Sequence, residues 1–371
     1  MKKLILFSAI AALLFNACSD DDTPGDETYG NDYDFSAIIA DYVDYTVVPT
    51  YADMKDKSAL MLGATEDFLA SGSQDDINLA CEYWKQTRQP WECSEAFLFG
   101  PAANQSLDPL LDSWPLDQAQ LDQVLASNQT IDAAYVKDAL GAVLRGFHTI
   151  EYLLFRDGQA RVATDVSDRE KEYLVAVTEV LRDDCLNLWA LWAGVEEGTA
   201  EAALAEELEL ELGTPYAEIL KNAGNAGSIY LSQTDAVDEI LLGISGIADE
   251  VANAKIADPV SSGDVLEVES WFSWNSLTDF QNNIKSIENS YLGGYDGGTS
   301  GACLSDYVKE KDAELDIKVK GLISDAINAI ADIPYPFRNN LNNEEKVNAA
   351  MDAVNAVAAV FDDEVRPLFI D

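Results

Sequence analysis

Apolar residues recur at three- and four-residue spacing along most of the chain from about residue 36 onward, the period of a helix that buries one face. The pattern predicts helices over roughly 36–71, 75–99, 131–155 and 168–195, and a second set over 233–257, 273–292, 304–331 and 343–366. Capping residues stand ahead of several runs: Ser232 or Thr234 before Ile240, Leu241 and Ile244, Ser305 before Val308, and Asn343 before Val347. The periodicity stops at Gly100-Pro101, Asp258-Pro259, Gly293-Gly294, and Pro334 with Pro336, where backbone freedom or a missing amide ends a helix. No stretch sustains the alternation of a sheet protein. Four helices, an acidic and alanine-rich connector at about 198–231, and four more helices predict an all-α fold of two helical bundles in series, over 35–213 and 214–371. The glycine-rich run 293–301 lacks the lysine and the strand–helix setting of a phosphate loop and reads as a flexible loop.

The N-terminus follows a different logic. Lys2 and Lys3, an apolar run from Leu4 to Phe15, then Ala17 and Cys18 have the order of a secretory signal over 1–17, too short to span a bilayer. A cysteine directly after a small residue resembles a bacterial lipoprotein box, which predicts lipidation of Cys18. Phe15 and Asn16 match its flanking positions loosely, leaving a plain cleaved signal as the alternative. Residues 18–34 are acidic and poor in apolar side chains, so they read as a tether. Together these predict an outer-membrane lipoprotein, periplasmic or surface-exposed. The run Cys18-Ser19-Asp20-Asp21-Asp22 resembles a surface-export signal and favours the surface, with an ordinary solvated linker as the bland reading.

Charge narrows the partners. With 67 Asp and Glu against 23 Lys and Arg, the net charge of −44 repels phosphate backbones and excludes a nucleic-acid role. A single histidine rules out any one-chain site that needs two imidazoles. Cys81, Cys93, Cys185 and Cys303 form no Cys-x-x-Cys pair; Cys81 and Cys93, twelve residues apart on one helical stretch, would stand roughly 18 Å apart. They read as buried, unpaired apolar side chains.

Two stretches carry chemistry. In Gly146-Phe147-His148-Thr149-Ile150-Glu151, the lone histidine and a glutamate three residues on project to one side of a segment whose apolar stripe is Leu140, Val143, Leu144, Phe147 and Leu154. A carboxylate on a buried face needs a cation, a donor network or a metal to offset its desolvation, so a hydrogen-bonded core His148–Glu151 pair stands beside a metal site as a reading. The second stretch places Trp84, Arg88, Trp91, Glu95 and Leu98 on one face if the helix continues through Pro90. An Arg88–Glu95 salt bridge is its plain reading, and a polar pocket shared with His148 and Glu151 its functional one.

These residues also carry a resemblance. Gly146-x-His148-x-x-Glu151 followed by Tyr152-Leu153-Leu154-Phe155, preceded by Arg88-x-Pro90-Trp91-x-x-Ser94-Glu95-x-Phe97-x-Phe99-Gly100-Pro101, is similar to the imelysin-like family. The similarity continues through Glu267-Val268-Glu269-Ser270-Trp271-Phe272-Ser273-Trp274-Asn275 to Asp279, then Tyr291-Leu292-Gly293 and Leu304-Ser305-Asp306-Tyr307-Val308, so it spans nearly the whole chain after the signal. The resemblance implies paired helical bundles with a pocket between or beside them. It implies a metal set of His148, Glu151 and Glu95, and ligand contacts from Arg88, Trp91, Ser273, Asn275 and Asp279. The family joins proteins classed as metallopeptidases with iron-regulated envelope lipoproteins. The chain itself has no HExxH, no second histidine and no G-x-S-x-G, which weakens the enzyme reading and leaves any catalytic residue unassigned. The expectation is therefore an envelope protein that binds a metal ion or metal complex for iron acquisition, with envelope uptake proteins as further partners. An oxygen-rich donor set with one imidazole suits iron, manganese or calcium at least as well as zinc, and the resemblance makes iron the expected metal over zinc or calcium. A divergent metal-dependent peptidase and a binding module for a non-metal ligand are the alternatives.

Overall fold

Side-chain caps fix where the apolar runs become helices. In the computed structural model, which describes residues 33–298 and 301–370, Ser73 accepts the Asp76 amide ahead of the second long helix, and Ser167 and Ser232 form reciprocal capping boxes with Glu170 and Asp235. Asp312 and Asn343 cap the last two long helices. Thr234 and Ser305 lie inside helices instead; the Ser305 hydroxyl donates to Asp316 Oδ1 at 2.7 Å. The signal, Cys18 and the tether up to residue 32 fall outside the described residues, as do Thr299 and Ser300 of the glycine-rich loop.

The principal helices are α1 (Val48–Ser71), α2 (Gln74–Glu92), α3 (Gly146–Leu154), α4 (Asp168–Ala193), α5 (Gln233–Glu250), α6 (Ser276–Leu292), α7 (Leu304–Lys311), α8 (Ala313–Ala331) and α9 (Glu344–Val360). The fold is all-α, apart from a two-residue hairpin of β1 (Phe155–Arg156) and β2 (Gln159–Ala160). Helix α1 packs on α2 and α4, and α3 packs on α2 and α4; farther along the chain α5, α6, α8 and α9 pack on one another. The two sets meet where α6 lies against α2 and where the 3-10 turn Glu95–Phe97 lies against α5 and α6. That seam carries the polar residues singled out in the sequence. Turns of π-helix interrupt the regular period at Tyr42–Val47, Val251–Ile256 and Phe361–Val365. No described helix is long and apolar enough to cross a membrane.

Several predicted helices are subdivided. The 131–155 stretch breaks into Ala133–Ala139, a 3-10 turn Ala142–Leu144 and α3, because Arg145 is extended and Gly146 takes φ +78°. Arg145 pairs with Asp184 of α4 and Tyr173 donates to the Leu144 carbonyl at 2.5 Å, so long-range bonds hold the break open. Leu140, Val143 and Leu144 thus share no helical stripe with Phe147. A β-carbon at Gly146 would sit 2.3 Å from the Leu111 carbonyl oxygen, so only glycine lets α3 start against the segment that carries Asp112. The 75–99 stretch is helical only to Glu92, and Glu95 lies on the following 3-10 turn. The 304–331 stretch divides at Asp312. The run predicted from 273 starts its helix at Ser276, leaving Ser273 and Asn275 in a turn ahead of α6.

That turn is anchored from across the seam. Asp157 and Gly158 both take positive φ at the tip of the hairpin, and the Gly158 amide donates to the Phe272 carbonyl at 2.9 Å. The Trp274 ring packs so close to Gly158 that a β-carbon there would approach it to 2.4 Å. The hairpin that follows α3 therefore holds the Trp271–Asn275 turn beside His148 and Glu151. Cys81, Cys93, Cys185 and Cys303 are buried and unpaired.

Candidate metal centre

Arg88 of α2 is the hub of the seam. Its side chain is fully buried, and its guanidinium meets four carboxylates drawn from four parts of the chain. Nη1 donates to Asp112 Oδ1; Nη2 donates to Glu269 Oε1 at 2.6 Å and lies 2.6 Å from Glu92 Oε1; Nε lies 3.5 Å from Asp279 Oδ2. A planar fork with five donors is the one side chain able to bridge so many acceptors. The expected Arg88–Glu95 bridge is not formed. The helix ends before Glu95, whose Oε1 faces Lys255 Nζ at 3.7 Å instead.

His148 lies beside this hub. Its ring packs on Trp114 with centroids 4.6 Å apart, and both nitrogens face carboxylates. Nδ1 lies 3.0 Å from Glu151 Oε2. Glu151 Oε1 accepts two further bonds, from the Ser273 amide and the Ser273 hydroxyl, each at 2.8 Å. A carboxylate oxygen in such a network accepts, so the proton belongs on Nδ1 and Nε2 is the face left for other chemistry. Nε2 lies 3.1 Å from Asp112 Oδ1 and 4.0 Å from Glu269 Oε1, yet forms no aligned hydrogen bond despite its burial.

The remaining predicted residues support this arrangement from behind. Trp91 Nε1 donates to Asp112 Oδ2 at 2.7 Å, and Asn275 Nδ2 donates to Asp279 Oδ1 at 2.7 Å. The structure brings Arg88, Trp91, His148, Glu151, Ser273, Asn275 and Asp279 into one network, with Glu95 joined to it through Lys255. It places Glu151 on the Nδ1 side of His148, while Asp112 and Glu269 occupy the Nε2 side. Ligand atoms of Asp112, His148 and Glu269 lie within 4.8 Å of one another, as do those of Glu92, Glu95 and Asp112.

Asp112, Glu269, Glu92 and Lys255 are absent from the residues selected in the sequence. Glu269 lies within the Glu267–Asn275 stretch that carries the family resemblance, and Glu92 is one helical turn from Arg88, so the sequence carries a signal for both. Asp112 ends a six-residue helix, Leu107–Asp112, in a region with no sustained periodicity, and only the fold brings it to Arg88.

Charge balance is the unusual property of the site. Glu92, Glu95, Asp112, Glu151, Glu269 and Asp279 have side chains no more than 8 % exposed, against the fixed cations Arg88 and Lys255 and the titratable His148. Burial pushes Glu92 up to about 8 despite Arg88, Asp279 up to about 6, and Glu95 well above the usual carboxylate range. Burial likewise acts to raise Asp112, but Arg88 and His148 outweigh it and hold that carboxyl well below its ordinary value. Burial alone would lower His148; the Asp112 carboxylate reverses this and raises it to about 9. The surplus of carboxylates is thus met by protons unless another cation takes their place.

This fixes a pH dependence for chelator-treated protein. The folded state raises Glu92 from 4.5 to about 8 and His148 from 6.5 to about 9, so each binds its proton more tightly than the unfolded chain does. Their stabilisation is complete below the unfolded values and is lost as pH climbs through the folded ones. The depressed Asp112 acts with the opposite sign, but only below its ordinary value of 3.8. Urea midpoints are expected to fall steadily from about pH 5 to pH 9. A midpoint that rises over this range would contradict the charge balance described.

A cleft of about 730 Å³ opens onto the network, within the range of small-ligand sites. Its walls include Asp112, Glu95, Glu269, Lys255, Trp114 and Glu250.

Comparison with known proteins agrees with this architecture. The imelysin family model matches residues 47–363. The chain is 27% identical over 326 residues to iron-regulated protein A of Synechococcus elongatus, covering 87% of this chain and 83% of that one. It resembles the crystal structure of a chain named as an iron-regulated protein A precursor from Parabacteroides distasonis, at 36% identity and TM-score 0.81, covering 90% of this chain and 95% of that one. An imelysin-like protein from Psychrobacter arcticum shares the fold at TM-score 0.66 and 11% identity, over 89% and 94% of the two chains. A match over most of the chain, by sequence and by fold alike, makes this protein a member of the imelysin family.

Proposed function

We propose that the chain binds a metal ion through His148, Asp112 and Glu269, and that it does so as an envelope protein of iron acquisition. The observation that carries this reading is the buried Nε2 of the only histidine, without an aligned partner and facing two carboxylates. Glu151 behind the ring supplies the carboxylate–histidine support that orients metal-binding imidazoles, and Ser273 fixes Glu151 in turn. Trp91 and Arg88 hold Asp112, and Arg88 holds Glu269. One imidazole with carboxylates and no thiolate is a donor set for iron or manganese, and the names of two relatives connect the family to iron. Lewis acidity is what a bound ion adds at this place. The chain's own groups bind it, exclude bulk water and release protons from His148 and the buried glutamates as it enters.

Elemental analysis and calorimetry of the purified protein test the binding. The expected result is one iron or manganese ion per chain, with protons released on binding. Protein that takes up neither ion at micromolar concentrations would leave the network a structural core. Peptide turnover that requires the ion and His148 would move the reading to a peptidase.

The N-terminal segment supports the envelope address, since a signal, a cysteine at its end and an acidic tether occur in that order. The wild-type chain is expected in the membrane fraction and a Cys18→Ser variant in the soluble fraction. Equal partitioning of the two would remove the lipid anchor from the proposal.

A further inference from the structure

Lys255 lies between the two carboxylate sets, beside Glu269 of the first and Glu95 and Glu92 of the second. Its Nζ donates to Glu269 Oε1 at 3.3 Å and stands 3.3 Å from Glu269 Oε2, while Glu95 Oε1 and Glu92 Oε2 are farther, at 3.7 and 3.8 Å. The side chain is 10 % exposed and comes from the π-helical turn Val251–Ile256 at the wall of the cleft. Glu92, Glu95 and Asp112 converge as closely as the Asp112, His148 and Glu269 set, and the two sets share Asp112. Glu269 Oε2 is buried and, with the ammonium 3.3 Å away, still has no aligned hydrogen bond. Two oxygen-rich positions joined by one carboxylate are the arrangement of a two-ion centre, in which a compact monovalent ammonium can stand where a second ion would.

We propose that the Lys255 ammonium fills the second cation position of a two-position acidic centre and so limits the wild-type chain to one metal ion. This rests on the metal reading given above and adds a determinant of stoichiometry. Without the ammonium, Glu92, Glu95 and Asp112 take a second divalent ion that enters through the cleft, and Asp112 bridges the pair. The ion leaves the carboxylate-rich neighbourhood one unit less negative than the ammonium did, because a divalent ion more than replaces the lost charge.

Manganese titration of the full chain, read by elemental analysis and electron paramagnetic resonance, compares the wild type with Lys255→Gln. The expected stoichiometry doubles, from one ion to two, and the two-ion form shows the spectrum of a spin-coupled pair. Adding Glu95→Gln to Lys255→Gln is expected to return it to one. One ion in both wild type and Lys255→Gln overturns this inference and leaves the metal reading intact; two in the wild type also overturns it. No ion in either protein removes both. Should Lys255→Gln be unfolded as purified, refolding in millimolar manganese to a two-ion protein supports the proposal, and failure to refold with manganese overturns it.

Discussion

A His148→Ala chain is expected to lose metal binding by at least the ~100-fold that removal of a supporting residue alone can cost. His148 supplies the only nitrogen of the proposed ligand set, and its Nε2 is buried without an aligned partner. Truncation leaves Asp112 and Glu269, both already engaged by Arg88, to bind an ion without the imidazole. Glu151→Gln separates ligand from support. The amide keeps an oxygen toward Nδ1 but loses the charge that favours the Nδ1 tautomer, so the expected loss is ~10–100-fold with unchanged stoichiometry. Calorimetry on the three proteins checks both expectations. Wild-type affinity in His148→Ala would remove the proposed site, whereas equal losses in both variants would make Glu151 as important as the ring it orients.

Arg88→Met is expected to be the most destabilising substitution in the seam. The methionine roughly fills the space of the aliphatic stem but leaves Asp112, Glu92, Glu269 and Asp279 without their shared cation, in a region where their side chains are nearly solvent-free. Removing one partner of a buried pair costs about 3–5 kcal/mol, and here one cation serves four anions. Lys255 lies beside Glu92, Glu95 and Glu269, on the cleft side of the network, and so does not replace the guanidinium between Asp112 and Asp279. Acid should partly restore the variant, because protonating the carboxylates removes the repulsion that the guanidinium offset. Arg88→Lys should fall between the two, since an ammonium cannot reach four acceptors in different directions. Urea unfolding at neutral and mildly acidic pH measures these differences. A midpoint near that of the wild type at neutral pH would mean that protons, more than Arg88, neutralise the cluster.

Much of this protein is legible in its pattern of side chains, and particular residues show where the legibility stops. The helical period foretells α4, α5 and α9, and the caps Ser232 and Asn343 foretell the starts of the last two, because each depends on a neighbour three residues away. The same periodicity overruns the break at Arg145, because the bonds that hold it come from Asp184 and Tyr173 on another helix. It overruns Glu92 too, joining Glu95 to a face from which the 3-10 turn removes it. Asp157-Gly158, a turn dipeptide between short segments, was a readable hairpin signal, but two-residue strands are too short to show alternation.

The amino-acid sequence alone determined that the chain is all-α, that one histidine must serve any imidazole chemistry, and that this histidine shares a helix face with Glu151. Those properties follow from composition and from contacts within about one helical turn, which the chain carries wherever it folds. Only the tertiary structure decided which side of His148 each carboxylate occupies. It gave Nδ1 to Glu151 through Ser273, 122 residues away, and brought Asp112 and Glu269 to Nε2 around Arg88, which Glu269 follows by 181 residues. Burial then made those positions consequential. Carboxylates that would be solvated and equivalent on an isolated helix become competitors for two fixed cations, one imidazole and whatever ion the cleft admits.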